Sequence, residues 1–214
     1  MSEEKKKFIY SLSVSTGFII LLWLILLTGL LFHLNLYVFG VYPRKLSGLI
    51  GIFTAPLIHA GVKHLLSNSI PLFFLGTGMF YFYRKAAAKV FISVYLIPGV
   101  FVWLVGRPAY HIGASGMVYG FVTFIFFSGI IKRDTGSIAL ALIVTFLYGG
   151  LVIGIIPQND GISWEYHLFG SLTGIVCAFI FRKSDPYKRY EWEDEEIDDD
   201  VKLEISYDRE PPFN

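Results

Sequence analysis

The sequence predicts an all-α polytopic membrane protein, a bundle of six transmembrane helices with a helical first loop on the outer side. Two observations carry this. Of 214 residues, 54% are apolar and only 16% are charged, against roughly 25% charged in a soluble domain. The charges are also segregated: no Asp, Glu, Lys or Arg occurs in 8–43, 46–62, 64–83, 90–106, 108–131, 135–159 or 166–181. A chain of this size in water could bury one such run, not seven. About 18 or more apolar residues in succession is the length of a membrane-spanning helix. A soluble globular fold is excluded, and the formal net charge of +1 argues against nucleic acid as a partner.

The first run, 8–31, follows Lys5, Lys6 and Lys7. It is too long for the apolar region of a signal peptide and has no small-x-small cleavage site, so it reads as a retained helix. The stretch 47–62 is apolar but broken by Gly48, Gly51, Pro56 and Gly61, which fits an interfacial helical loop better than a further span. Spans are then expected at 65–83, 89–106, 115–131, 137–156 and 165–182. Lys and Arg set the orientation. With the N-terminus inside, twelve of them flank the spans on the inner side (Lys5, Lys6, Lys7, Arg84, Lys85, Lys89, Lys132, Arg133, Arg182, Lys183, Lys188 and Arg189) and four on the outer side (Arg44, Lys45, Lys63 and Arg107). Both termini are expected in the cytoplasm of a prokaryotic cell, with 1–7 as the N-terminal segment and 8–182 as the helical domain. From 183 to 214 the chain turns polar, and eight of the ten residues 191–200 are Asp or Glu; it reads as a solvated, disordered tail. Cys177 is the one cysteine, so a disulfide within the chain is impossible and the compartment cannot be inferred from it.

Polar residues stand out at the starts of the second, fourth and sixth spans, which all run inward from the outer side. The second begins His64-Leu-Leu-Ser-Asn68, the fourth Gly113-Ala-Ser115-Gly116, and the sixth Trp164-Glu-Tyr-His167. At matched depth these side chains can meet, and polar groups in a membrane are costly unless paired or hydrated. His64 and Asn68 are four apart and share a helix face. Ser115 and His167 supply a hydroxyl and a base to activate it. Asn68 and His64, with the backbone N–H of Ser115, can donate to an oxyanion. Ser115 opens a helix, where free N–H groups favour negative charge, and Gly113 and Gly116 permit a sharp turn and close backbone approach. These are the parts of an acyl-transfer site.

The stretch from Phe53 to Asn68, with His59, His64 and Asn68, resembles the second-helix signature of the rhomboid intramembrane serine proteases. Gly113-Ala-Ser115-Gly116 resembles their Gly-x-Ser-Gly nucleophile motif, and His167-Leu-Phe-Gly170 their sixth-helix histidine motif. The resemblance covers roughly 8–182. It implies a serine endopeptidase in which Ser115 is nucleophile, His167 general base, and His64 with Asn68 oxyanion ligands, without an essential carboxylate. Tyr119 matches a family tyrosine that packs on the catalytic imidazole. It further implies a gate near the fifth span and the loop 157–163, transmembrane proteins as substrates, and cleavage near the outer membrane surface. In one departure, Ile50 and Gly51 stand where many relatives carry Trp-Arg.

Other candidates receive plainer readings. His59 is expected to brace the loop before the second span, and His111 to be solvated or to brace its own loop. Asp160 and Glu165 are not read as triad acids. A metal site from His64, His111, His167 and Glu165 is not favoured without a His-Glu-x-x-His pair, and no metal or cofactor is expected. Two other function classes compete: a catalytically dead relative that binds membrane clients, which would be expected to lack the serine or the histidine, and a transporter, which would need polar residues through the full membrane depth. Substrate and oligomeric state cannot be read from the sequence.

Overall fold

The computed structural model describes residues 1–157 and 163–186. Five of the seven residues of the expected gating loop lie between Pro157 and Ser163, outside the described residues, as do Asp160 and the acidic run 191–200. The described chain is helical. Its long helices are α1 (Glu3–Leu31), α3 (Val62–Phe82), α4 (Arg84–Val105), α5 (Ser115–Lys132), α6 (Thr135–Tyr148) and α7 (Trp164–Ile180), with a single turn α2 (Gly51–Thr54) in the first loop. The six long helices correspond in order to the six expected spans. Five, counting α6 with its 3-10 continuation to Ile155, are long and apolar enough to cross a bilayer. The 17 residues of α7 extend roughly 26 Å at 1.5 Å per residue.

Three boundaries differ from expectation by five residues or more, each for a physical reason. The first helix begins at Glu3 instead of residue 8, so the expected N-terminal segment is mostly helical. The Ser2 side chain accepts from Lys5 N–H at 3.3 Å, and Glu3 pairs with Lys6 at 3.1 Å. These satisfy a free amide and add a carboxylate where the helix dipole favours one. The helix α4 begins at Arg84 instead of residue 89, because Tyr83 alone makes the turn from α3. Its first amides are capped from far along the chain: Lys85 and Ala86 N–H donate to the two carboxylate oxygens of Asp185 at 2.8 and 3.1 Å. The third difference is in the fifth span, whose α-helix stops at Tyr148 and continues as a 3-10 helix from Gly149 to Ile155.

The segment 46–57 forms short 3-10 and α turns that pack Val41, Ala55 and Ile52 against Val102 and Tyr166. At the start of α2, Gly51 lies so close to Gly40 and Val41 that a Cβ would run into backbone. The core lies around α5, with Leu65, Met79, Val94, Met117, Phe121 and Phe124 in one apolar cluster. The tightest packing is between α5 and α7. A Cβ on Gly170 would fall 2.1 Å from the Gly116 carbonyl oxygen, and one on Gly174 equally close to that of Gly120. Small residues let two backbones meet, which is how membrane helices associate without a hydrophobic driving force between them. Thr123 Oγ1 also donates across this seam to Ser171 O at 2.9 Å.

Candidate functional site

Ser115 opens α5 and His167 lies in the first turn of α7, and the glycine seam sets the two helix starts side by side. Ser115 Oγ lies 2.9 Å from His167 Nε2. The other ring nitrogen, Nδ1, lies 2.9 Å from the carbonyl oxygen of Gly154. A carbonyl can only accept, so Nδ1 carries the proton and donates, and Nε2 presents a lone pair to the serine hydroxyl. Tyr119, one turn into α5, stacks on the imidazole with centroids 4.1 Å apart and planes 8° from parallel. The Gly154 backbone approaches so closely that a Cβ there would fall 2.0 Å from the Tyr119 hydroxyl.

His64 and Asn68 sit one turn apart at the start of α3 and line the same cavity as Ser115 and His167, a volume of about 560 Å³. Ala60 N–H donates to His64 Nδ1 at 3.4 Å, so Nε2 is the protonated, donating nitrogen. Asn68 donates one amide hydrogen to His64 O at 3.2 Å and has a second. Gly113 takes φ +108°, a conformation open to glycine and strained for other residues. A Cβ there would meet the His64 ring at 2.8 Å. The missing side chain therefore makes room for the imidazole as well as for the turn. At Gly116, a Cβ would meet the Tyr166 ring at 2.7 Å. The backbone N–H of Ser115 lies in the first turn of α5, where amides have no carbonyl four residues back to bond.

Two further histidines hold the loops that carry these groups. His59 accepts from Ala114 N–H through Nε2 at 3.3 Å and packs edge-on against His64 at 5.0 Å. It thereby ties the loop before α3 to the residue preceding Ser115. Burial, with His64 beside it, lowers its pKa to about 4, so the lone pair that accepts this bond persists at neutral pH. His111 is fully buried. It bonds Ser163 Oγ at 2.8 Å and Arg107 O at 3.1 Å, and burial lowers its pKa too. Glu165, 3% exposed, pairs with Arg107 Nε at 3.4 Å and accepts from Arg107 N–H at 3.3 Å. The loop into α5 and the first turn of α7 are thus fastened to each other at 107–111 and 163–165.

A family model, the Rhomboid domain, matches residues 46–184. The chain belongs to the rhomboid family. The rhomboid chain is 36% identical over 185 residues to "Uncharacterized protein Rv1337" of Mycobacterium tuberculosis, covering 80% of this chain and 77% of that one. It is 34% identical over 176 residues to "Uncharacterized protein ML1171" of Mycobacterium leprae, covering 76% and 68%. Against "RHOMBOID-like protein 1" of Arabidopsis thaliana the identity is 27% over 140 residues, 61% of this chain and 34% of the plant protein. Like other members of its family, it is an integral, multi-pass membrane protein.

All seven residues singled out in the sequence, Ser115, His167, His64, Asn68, Tyr119, Gly113 and Gly116, gather at one end of the bundle. His59 and His111 are bonded to the loops that lead there. Among the described residues, no group of three or more His, Cys, Asp or Glu side chains could hold a metal ion. Sequence reasoning missed the Gly154 carbonyl. Its only trace was the spacing Gly149-Gly150-x-x-x-Gly154, which weakens an α-helix without saying where a freed carbonyl will point.

Proposed function

We propose that this rhomboid protein is an intramembrane serine endopeptidase that cuts transmembrane proteins near the outer membrane surface, using Ser115 and His167. The observation that carries the reading is the ordered chain Ser115 Oγ, His167 Nε2, His167 Nδ1, Gly154 O, with both links at 2.9 Å. It presets the tautomer that a general base needs. In the proposed reaction the serine proton passes to Nε2 as Oγ attacks the scissile carbonyl carbon. The resulting oxyanion takes hydrogen bonds from Asn68, from His64 Nε2–H and from the Ser115 amide, donors worth roughly 3–4 kcal/mol when removed singly in other hydrolases. The imidazolium then protonates the leaving amine. Water, entering the cavity, loses a proton to Nε2 and attacks the acyl-enzyme, and the proton returns to Oγ as the acid departs.

The carbonyl of Gly154 stands where a soluble serine hydrolase places a carboxylate. It orients the ring and accepts from Nδ1–H without carrying charge. A buried carboxylate would need its own desolvation offset, whereas a backbone carbonyl freed by a 3-10 turn adds no charge. Glu165 serves elsewhere, on Arg107. Membership of the family and the twelve-to-four distribution of Lys and Arg support the orientation with the site outward and both termini in the cytoplasm.

The test is covalent labelling of purified protein with a fluorophosphonate, together with cleavage of a model transmembrane substrate. Wild-type protein should label and cleave. Ser115→Ala should do neither, and His167→Ala should lose both while inserting normally. Retained cleavage by Ser115→Ala would overturn the assignment. A wild-type protein that binds transmembrane clients but neither labels nor cuts would move it to the inactive members of the family.

A further inference from the structure

Between them α4 and α7 leave a groove of about 400 Å³ that starts at Phe169, two residues past His167, and runs away from the site along α7. Its floor is made by the short side chains of Ser93, Thr173 and Cys177, while the large side chains beside them, Ile97, Leu172 and Val176, stand exposed on its rim. The stacked rings of Phe101 and Phe169, centroids 5.2 Å apart, close one end, and Phe181 lies at the other. From Phe169 to Phe181 the groove follows α7 for roughly 18 Å.

Water is a poor filling, because a buried water needs two to four polar partners. The Thr173 hydroxyl is already spent on Phe169 O at 2.7 Å, Ser93 and Cys177 hydrogen-bond to each other, and the other walls are hydrocarbon or aromatic. Left empty, the groove would forfeit the dispersion contacts of its lining. At the Phe181 end the chemistry changes sign. The Lys89 ammonium sits 5.6 Å from the Phe181 ring centroid, and Arg182 and Lys183 follow directly, all three exposed. None of them is in a salt bridge among the described residues. The nearby carboxylate of Asp185 is engaged in capping α4.

We infer that this groove is a binding site for one anionic phospholipid, an acyl chain lying along Cys177 and Thr173 and the phosphate held by Lys89 and Arg182. Charge complementarity selects a lipid over a substrate helix here: a helix about 10 Å across is too wide for the volume, and it would bring no anion to the basic mouth.

The experiment is native mass spectrometry of the full chain from detergent containing equal phosphatidylglycerol and phosphatidylcholine. Wild-type protein should retain one phosphatidylglycerol in preference to phosphatidylcholine. Lys89→Gln with Arg182→Gln, both at exposed positions, should cut that retention by roughly fivefold per cation, the scale of one basic residue at an anionic lipid surface. Ser93→Trp, filling the groove, should remove retention of both lipids. Equal retention of the two lipids by wild type, or phosphatidylglycerol retention unchanged in the charge variant, would overturn the site. Should Ser93→Trp not fold, the charge variant decides alone.

Discussion

Helices α5 and α6 are neighbours in sequence and near opposites in setting. In α5, ten of 18 residues are buried, and Gly116 and Gly120 meet the backbone of α7. In α6, three of 14 residues are buried, Ser137, Ala141 and Val144, the first two packed against Gly129 of α5. Leu142, Ile143, Phe146 and Leu147 are exposed. One helix supplies the serine from the most constrained place in the molecule. The other, through its 3-10 continuation, supplies only the Gly154 carbonyl, yet that carbonyl sets the proton on His167. The lesson is that the proposed reacting pair and its orienting group rest on supports that differ widely in burial. If substrate passes beside α6, as the family resemblance implies, its displacement would draw the carbonyl away from Nδ1, and re-closure would restore the base. Loading and activation would then be coupled.

The harshest way to break this comparison is to widen the seam. Gly170→Val would force side-chain carbon into the space where the Gly116 carbonyl oxygen now lies, and neither backbone can give way without separating Ser115 from His167. We expect loss of fluorophosphonate labelling by 100-fold or more, about the cost of an ångström-scale misplacement of reacting groups, together with lowered thermal stability. Gly150→Ala, at a position where a Cβ meets nothing within 4 Å, should leave both within error. A tolerated Gly170→Val would show that the seam is not what aligns the pair.

Next in size is the proposed oxyanion donor. Asn68→Ala should reduce kcat by roughly ten- to a thousandfold, bounded by single-donor removals in other hydrolases. Because His64 and the Ser115 amide remain, it should not abolish turnover. Kinetics unchanged on several substrates would remove Asn68 from that role. Smaller again is the orienting carbonyl. Gly154→Ala would place a methyl 2.0 Å from the Tyr119 hydroxyl and push the 3-10 turn or the tyrosine aside. A fall in kcat of about tenfold is expected, with KM little changed, and Tyr119→Phe in the same chain should recover much of it by removing the clashing oxygen. If Gly154→Ala lowers activity and the double variant recovers none, the carbonyl and the ring stack are not coupled as described.

How far this arrangement was legible follows from the range of the forces behind each part. The polar residues at the starts of the second, fourth and sixth spans stood out because charge and amide groups are rare in apolar runs. Three parallel helices then had to present them at one end. The family motifs from His59 to Asn68, at Ser115 and at His167 sharpened that reading. The early start of α4 was not legible, since the carboxylate that caps it is 99 and 100 residues away from the amides it accepts from. Nor was the Gly154 contact, because a carbonyl is common to every residue and only the local departure from α-helix aims this one. The Glu165–Arg107 pair is 58 residues apart in sequence and could have been matched in other ways by charge alone.

The smallest expected effect separates the two helices by stability alone. Phe124 in α5 is 1% exposed and packs edge-on against Tyr83, with centroids 5.1 Å apart, whereas Phe146 in α6 is 88% exposed. In a membrane the apolar reference is lipid, so a lipid-facing ring has similar surroundings whether or not the bundle is assembled. Phe146→Ala should therefore shift stability by no more than about 0.5 kcal/mol. Phe124→Ala leaves a cavity beside Tyr83, and should cost about 2 kcal/mol or more. Thermal unfolding in one detergent, comparing the two variants with wild type, measures the difference directly. If Phe146→Ala proved as costly as Phe124→Ala, α6 would be held by contacts its exposure does not reveal. It could not then be the loosely supported element that brings the Gly154 carbonyl to the site and takes it away.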